Sequence, residues 1–213
     1  MNTKTLLLLL CGLLLQPAWS YADTGQAHTA PAVADSAALS TRLALRDLWV
    51  EHVFWVRNYV IANQAGEAAA AKVATTEVVA NATAIANSIA PLYGQPAADQ
   101  LLDLLAGHWG AVKQYSDAVV AKNEAGKDAA VAELTSNAKA IAVFLASANP
   151  NLPENTLVAM LNAHGGHHIA QIDQLAKNDY AGEARTWQAM REHMLVLGDT
   201  LTAALVKQFP DKF

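Results

Sequence analysis

Leu161-Asn162-Ala163-His164-Gly165-Gly166-His167-His168 packs three of the chain's seven histidines into five residues. His164 also belongs to a series. His108 stands 56 residues before it, and His52 another 56 before that. A second series, His193, Asn137 and Asn81, keeps the same interval. One polar layer therefore recurs three times through a chain that is otherwise rich in alanine and aliphatic residues.

Working outward, six stretches carry apolar residues at helical spacing. The first, from about Thr41 to Asn63, aligns Leu45, Leu48, Trp49, His52, Val56 and Tyr59 on one face. Gly66 ends it, and the second runs from about Glu67 to Ala90 with Val78, Asn81, Ile85 and Ile89. Tyr93-Gly94-Gln95-Pro96 supplies a glycine suited to a helix end and a proline suited to a helix start. The third, about Ala97 to Ala121, carries Leu101, Leu104, Leu105, His108, Val112 and Tyr115. The fourth, about Lys127 to Ser147, carries Leu134, Asn137, Ile141 and Leu145, and Asn149-Pro150-Asn151-Leu152-Pro153 breaks it. The fifth runs to about Lys177 with Leu157, Met160, Leu161, His164, His168 and Ile172. The sixth follows the turn at Asn178 to Gly182 and carries Met190, His193, Leu197 and Leu201 to about Phe209. Faces and breaks correspond at an interval of 56, as in Val78, Leu134 and Met190. The pattern reads as an all-α six-helix bundle of three helical hairpins.

The N-terminus reads as an export signal. Lys4 is followed by an apolar run from Leu6 to Leu15, with Ser20 and Ala22 at the −3 and −1 positions of a small-residue cleavage site. Cleavage after Ser20 is the close alternative. Residues 1–22 are then a signal peptide, 23–39 a flexible tether rich in Ala, Thr, Ser, Gly and Pro, and 40–213 a single domain. This predicts a periplasmic or secreted protein. No later stretch reads as a membrane span. The one cysteine, Cys11, lies in the apolar run behind Leu10, where a lipoprotein signal has a small residue. The mature chain then has no thiol, which excludes disulfides, Fe–S clusters, c-type haem and cysteine nucleophiles. The formal net charge of −5 is scattered without a basic stripe, which argues against a nucleic-acid partner.

The polar layer carries the chemistry. Each of His52, His108, His164, Asn81, Asn137 and His193 has mostly apolar helical neighbours, so all six are expected in the core. A buried imidazole without a partner costs about 1–3 kcal/mol. One reading has each hairpin satisfy its own pair, which leaves a structural or small-ligand-binding module. The other closes the hairpins about a threefold axis, where the imidazoles converge on zinc, copper, nickel or iron. Asn81 and Asn137 would then fix ring tautomers. His164 and His168, four apart, share a helix face. The third hairpin has His168 where the others have Val56 and Val112, and His193 where they have asparagine. His164, His168 and His193 are therefore the preferred metal set, with His108 and His52 as further ligands. Glu51 and Glu192 are placed on the rim, and His167 in solvent. An enzyme using His164 or His193 as general base is the weakest reading, because neither a nucleophile nor a core carboxylate is placed to help.

Glu51-His52-Val53-Phe54-Trp55-Val56-Arg57, with the ending Phe209-Pro210-Asp211-Lys212-Phe213, resembles an uncharacterised family of small all-helical bacterial proteins. The resemblance implies a helical fold and a bacterial origin, and no particular activity.

Overall fold

The computed structural model describes residues 36–213. The expected signal and its cleavage site, His28 and most of the expected tether lie outside the described residues.

Six long helices and one single-turn helix follow in order: α1 Ala37–Ala65, α2 Ala68–Ser88, α3 Ala90–Tyr93, α4 Gln95–Val120, α5 Glu124–Ala148, α6 Glu154–Ala176 and α7 Tyr180–Gln208. A 3₁₀ turn, Pro210–Lys212, closes the chain, and there is no strand among the described residues. The bundle is all-α, as expected.

The ends of the helices have local causes. Helix α1 starts at Ala37, slightly inside the stretch read as tether, because Ser36 Oγ accepts the Leu39 N–H as an N-cap. It stops at Gly66, whose φ of 73° is a left-handed conformation open to glycine. Helix α2 ends two residues earlier than the spacing suggested. Pro91 has no N–H to donate to the carbonyl four residues back, so the chain breaks at Ile89 and restarts as α3. Helix α5 starts earlier than expected. Asn123 Oδ1 accepts the Gly126 N–H, which draws the glycine into the first turn. Asp179 caps α7 in the same way through Gly182.

Helices α1, α4 and α6 touch one another at the centre. The outer helices fill the gaps between them: α2 packs on α1 and α4, α5 on α4 and α6, and α7 on α6 and α1. The ring is closed, which excludes a linear stack of hairpins. Ion pairs hold the closing seam between the two ends of the chain. Arg42 and Arg46 each bind both oxygens of Asp199. Arg57 binds Glu183, with Nε 2.5 Å from Oε1.

Hydrogen bonds repeat the spacing of the sequence. The Asn81 amide donates to Leu48 O at 3.0 Å, Asn137 to Leu104 O at 2.9 Å, and His193 Nε2 lies 2.9 Å from Met160 O. Tyr59 donates to Asp117 and Tyr115 to Asp173, each across neighbouring central helices. Burial, then the hydrogen bond to Asp117, pushes the Tyr59 hydroxyl up to about 12.

Among the described residues one helix, α5, is long and apolar enough by length and composition to cross a bilayer. This corrects the expectation that no later stretch would be. Its hydropathy owes much to alanine. Leu134, Asn137, Ile141 and Phe144 are buried in the bundle, and the helix carries Asp128, Glu133 and Lys139.

The core has two apolar ends. Leu45, Trp49, Leu101, Leu105, Met190, Met194 and Leu197 fill one, with Leu157 and Leu161 beside them. Val56, Tyr59, Val60, Val112, Tyr115, Leu134 and Ile172 fill the other. Residues 52, 108, 164 and 168 fall between these ends on the three central helices.

Candidate metal centre

The central helices bring four histidines together for a simple reason of register. His52 lies three residues beyond Trp49 and four before Val56, so it shares their inward face. His108 stands likewise between Leu105 and Val112, and His164 between Leu161 and His168. His52, His108, His164 and His168 are buried, at 3, 4, 2 and 1 % exposure. One ring nitrogen from each falls in a group whose members all lie within 4.8 Å of one another. Every pair of the four rings is close, from 4.4 Å between His164 and His168 to 6.2 Å between His52 and His108, centroid to centroid. His164 and His108 stack at 5.3 Å and 18°.

The polar accounting of this layer is poor. His164 Nε2 and His168 Nε2 lie 3.1 Å apart and form the one hydrogen bond within the group. Both nitrogens of His52, both of His108, and the Nδ1 atoms of His164 and His168 find no partner in the protein. The Oδ1 atoms of Asn81 and Asn137 are also buried and unpartnered. Native interiors pair nearly all such atoms.

Electrostatics keeps the rings neutral. Burial, with repulsion from His108, pushes His52 down to about 3. Burial pushes His108 to about 4, a shift lessened by the nearby Asn137 side chain, which stops short of a well-formed hydrogen bond to the ring. Burial and then the neighbouring imidazoles hold His164 and His168 well below the usual histidine value. Neutral imidazole is the form that binds metal.

His193 stands apart from the four. Its ring stacks on His164 at 6.4 Å and 12°, yet it is half-buried and its Nε2 is committed to Met160 O. The trio read from the third hairpin is therefore not the compact set. The first two hairpins supply two of the four rings, and His193 fills the role of the asparagines. Asn81 and Asn137 lie beside the layer. Their amide N–H groups go to helix carbonyls, and Asn81 also reaches Glu51 Oε2 at 3.2 Å. His167, expected in solvent, is half-buried with its ring 5.6 Å from His193. The paired glycines have separate explanations. A Cβ on Gly165 would meet Leu134 Cδ2 at 3.0 Å, so this glycine permits close contact of α6 with α5, whereas Gly166 faces open space.

The sequence reading missed a core carboxylate. Glu183 is 3 % exposed, receives the Arg57 guanidinium and accepts a 2.8 Å hydrogen bond from Gln171. The Arg57 hydrogen bond holds its carboxyl below the usual range. The signal was present, since Glu183, Met190 and Leu197 are spaced by seven.

Fold and site together define a closed helical bundle with a buried four-imidazole cluster. Comparisons with protein-family models, with curated proteins and with solved structures give no match.

Proposed function

We propose that the protein binds a single transition-metal ion through His52, His108, His164 and His168, and that it handles this ion in the periplasm or outside the cell. The observation that carries the reading is the convergence of four neutral, buried imidazoles whose nitrogens are otherwise almost wholly unpartnered. A tetrahedral zinc site with Zn–N of about 2.0–2.1 Å separates its ligand nitrogens by about 3.3–3.4 Å. The 3.1 Å between His164 and His168 is already close to that spacing. The remaining pairs close by side-chain adjustment. An all-imidazole set suits zinc, copper, nickel or iron, and disfavours magnesium and calcium. A metal-bound imidazole carries its proton on the other nitrogen. Asn81 Oδ1 and Asn137 Oδ1 are acceptors in the same layer that would receive those protons and orient the rings. Four protein ligands fill a tetrahedral ion, which fits holding and transfer better than hydrolysis, where one position stays open. Location outside the cytoplasm rests on the export signal read from residues 1–22.

Titration of untagged protein with zinc, copper and nickel, followed by thermal melting, tests this. At a hundredfold excess over Kd the stabilisation is about 2.7 kcal/mol. His164→Ala and His168→Ala are expected to abolish the shift, and His28→Ala to leave it intact. Absence of any shift at saturating metal would sink the proposal.

A further inference from the structure

We propose that His193 and His167 form a port through which the metal ion passes between solvent and the buried four-histidine site. The inference rests on the metal-binding reading above. It starts from an access problem. The four imidazoles are almost wholly buried, with apolar side chains packed at both ends of the layer. A hydrated cation crossing those ends would lose its water with nothing in exchange, a cost of several kcal/mol or more. An ion that moves by ligand exchange needs donor atoms along its route.

One route of donors is present. All six described histidines form a single chain of ring contacts. From the buried group the chain leads from His164 to His193 at 6.4 Å, and from His193 to His167 at 5.6 Å. These last two are the only described histidines that reach solvent. The chain therefore runs from surface to core in steps of about one imidazole width.

The chemistry of His193 fits the task. A carbonyl oxygen only accepts, so the 2.9 Å contact with Met160 O places the proton of His193 on Nε2. Nδ1 is left with its lone pair, in the orientation that a backbone carbonyl commonly fixes for metal-binding histidines. The hydrogen bond itself does not need an imidazole. Asn81 and Asn137 make the same bond from equivalent positions to Leu48 O and Leu104 O. Histidine at 193 keeps that contact and adds a donor atom the asparagines lack. His167 adds a ring that is itself partly open to solvent, and its Nδ1, turned inward, has no protein partner to compete with a metal ion. A metal ion captured between His167 and His193 is then passed to His164 by exchange of one imidazole for the next. One proton moves: the Nε2–H shared between His164 and His168 shifts to Nδ1 of its own ring as that Nε2 takes the metal, and no electron moves.

Stopped-flow mixing of metal-free protein with one equivalent of Cu²⁺ tests the port. Trp49 lies edge-on to His52 at 6.0 Å, so its fluorescence reports arrival of copper at the buried site. Release is followed by adding a chelator in excess, and occupancy by elemental analysis. His193→Asn, which restores the side chain used in the other hairpins, and His167→Ala are compared with the native protein. The expected result is uptake and release both slowed by at least tenfold, reaching the same final occupancy of one copper per chain. Unchanged rates in both variants would overturn the port. So would loss of final occupancy in His193→Asn, which would make His193 a resident ligand. If the native protein takes up no copper, the four-histidine reading fails and the port with it.

Discussion

A histidine in an apolar layer has two nitrogens to satisfy, and the layer of His52, His108, His164 and His168 leaves six of its eight without a protein partner. That imbalance is what separates the cluster from an ordinary set of packed core histidines. The spacing of 56 identified His52, His108 and His164, and the four-residue spacing identified His168. What spacing could not show was which way His193 turns. Its place in the asparagine series was visible, but the bond to a carbonyl 33 residues earlier, shared with Asn81 and Asn137, is seen only in the folded chain. Glu183 was missed for a different reason. A buried carboxylate is tolerated only with its cation, and Arg57 lies on another helix 126 residues away. At this scale His168→Val, which installs the residue type of Val56 and Val112, is expected to keep the helical fold. It should weaken metal affinity more than the ~10–100-fold of losing an outer partner. Competition with a chromophoric chelator measures this, and an unchanged affinity would remove His168 from the ligand set.

At the scale of elements, helix identity was legible because each helix shows one sustained apolar face. The ends were less so. The break at Ile89 follows from Pro91, and the early starts of α1 and α5 follow from Ser36 and Asn123 acting as caps. The seam between α1 and α7 depends on ion pairs that no local pattern announces. Within it, the Arg57–Glu183 pair joins a half-buried guanidinium to a buried carboxylate, with Trp187 5.3 Å from the guanidinium carbon. Removing the cation strands the carboxylate in the core. Arg57→Met is therefore expected to destabilise the bundle by about 3 kcal/mol. Glu183→Gln should cost less, because a neutral amide is left in place of a charge. Urea unfolding of both variants makes the comparison, and an Arg57→Met loss below that of Glu183→Gln would contradict this assignment.

For the whole molecule, the decisive property is closure. Three separate hairpins would leave their histidines as a ladder. Packing α7 against α1 turns the ladder into a ring with the imidazoles at its centre. Closure also buries the rings and sets the response to acid. An unfolded histidine titrates near 6.5, whereas His52 and His108 fold to values of about 3 and 4, and His164 and His168 are lowered as well. Between those values the unfolded chain binds more protons than the native one. Stability is thus fully present above about pH 6.5 and falls as pH drops toward the folded values. Each ring contributes up to about 1.4 kcal/mol per pH unit, so metal-free protein is expected to unfold between about pH 6.5 and 4. Circular dichroism across that range checks this, and a flat signal down to pH 4 would show that the rings are not buried as neutral imidazoles.

X-ray absorption at the zinc edge of the untagged, zinc-loaded protein tests the central claim most directly. The expected spectrum has one zinc per chain, four nitrogens at about 2.0–2.1 Å and the outer-shell scattering of four imidazoles. Failure to retain zinc, or a shell of oxygens with no more than two imidazoles, would contradict the account.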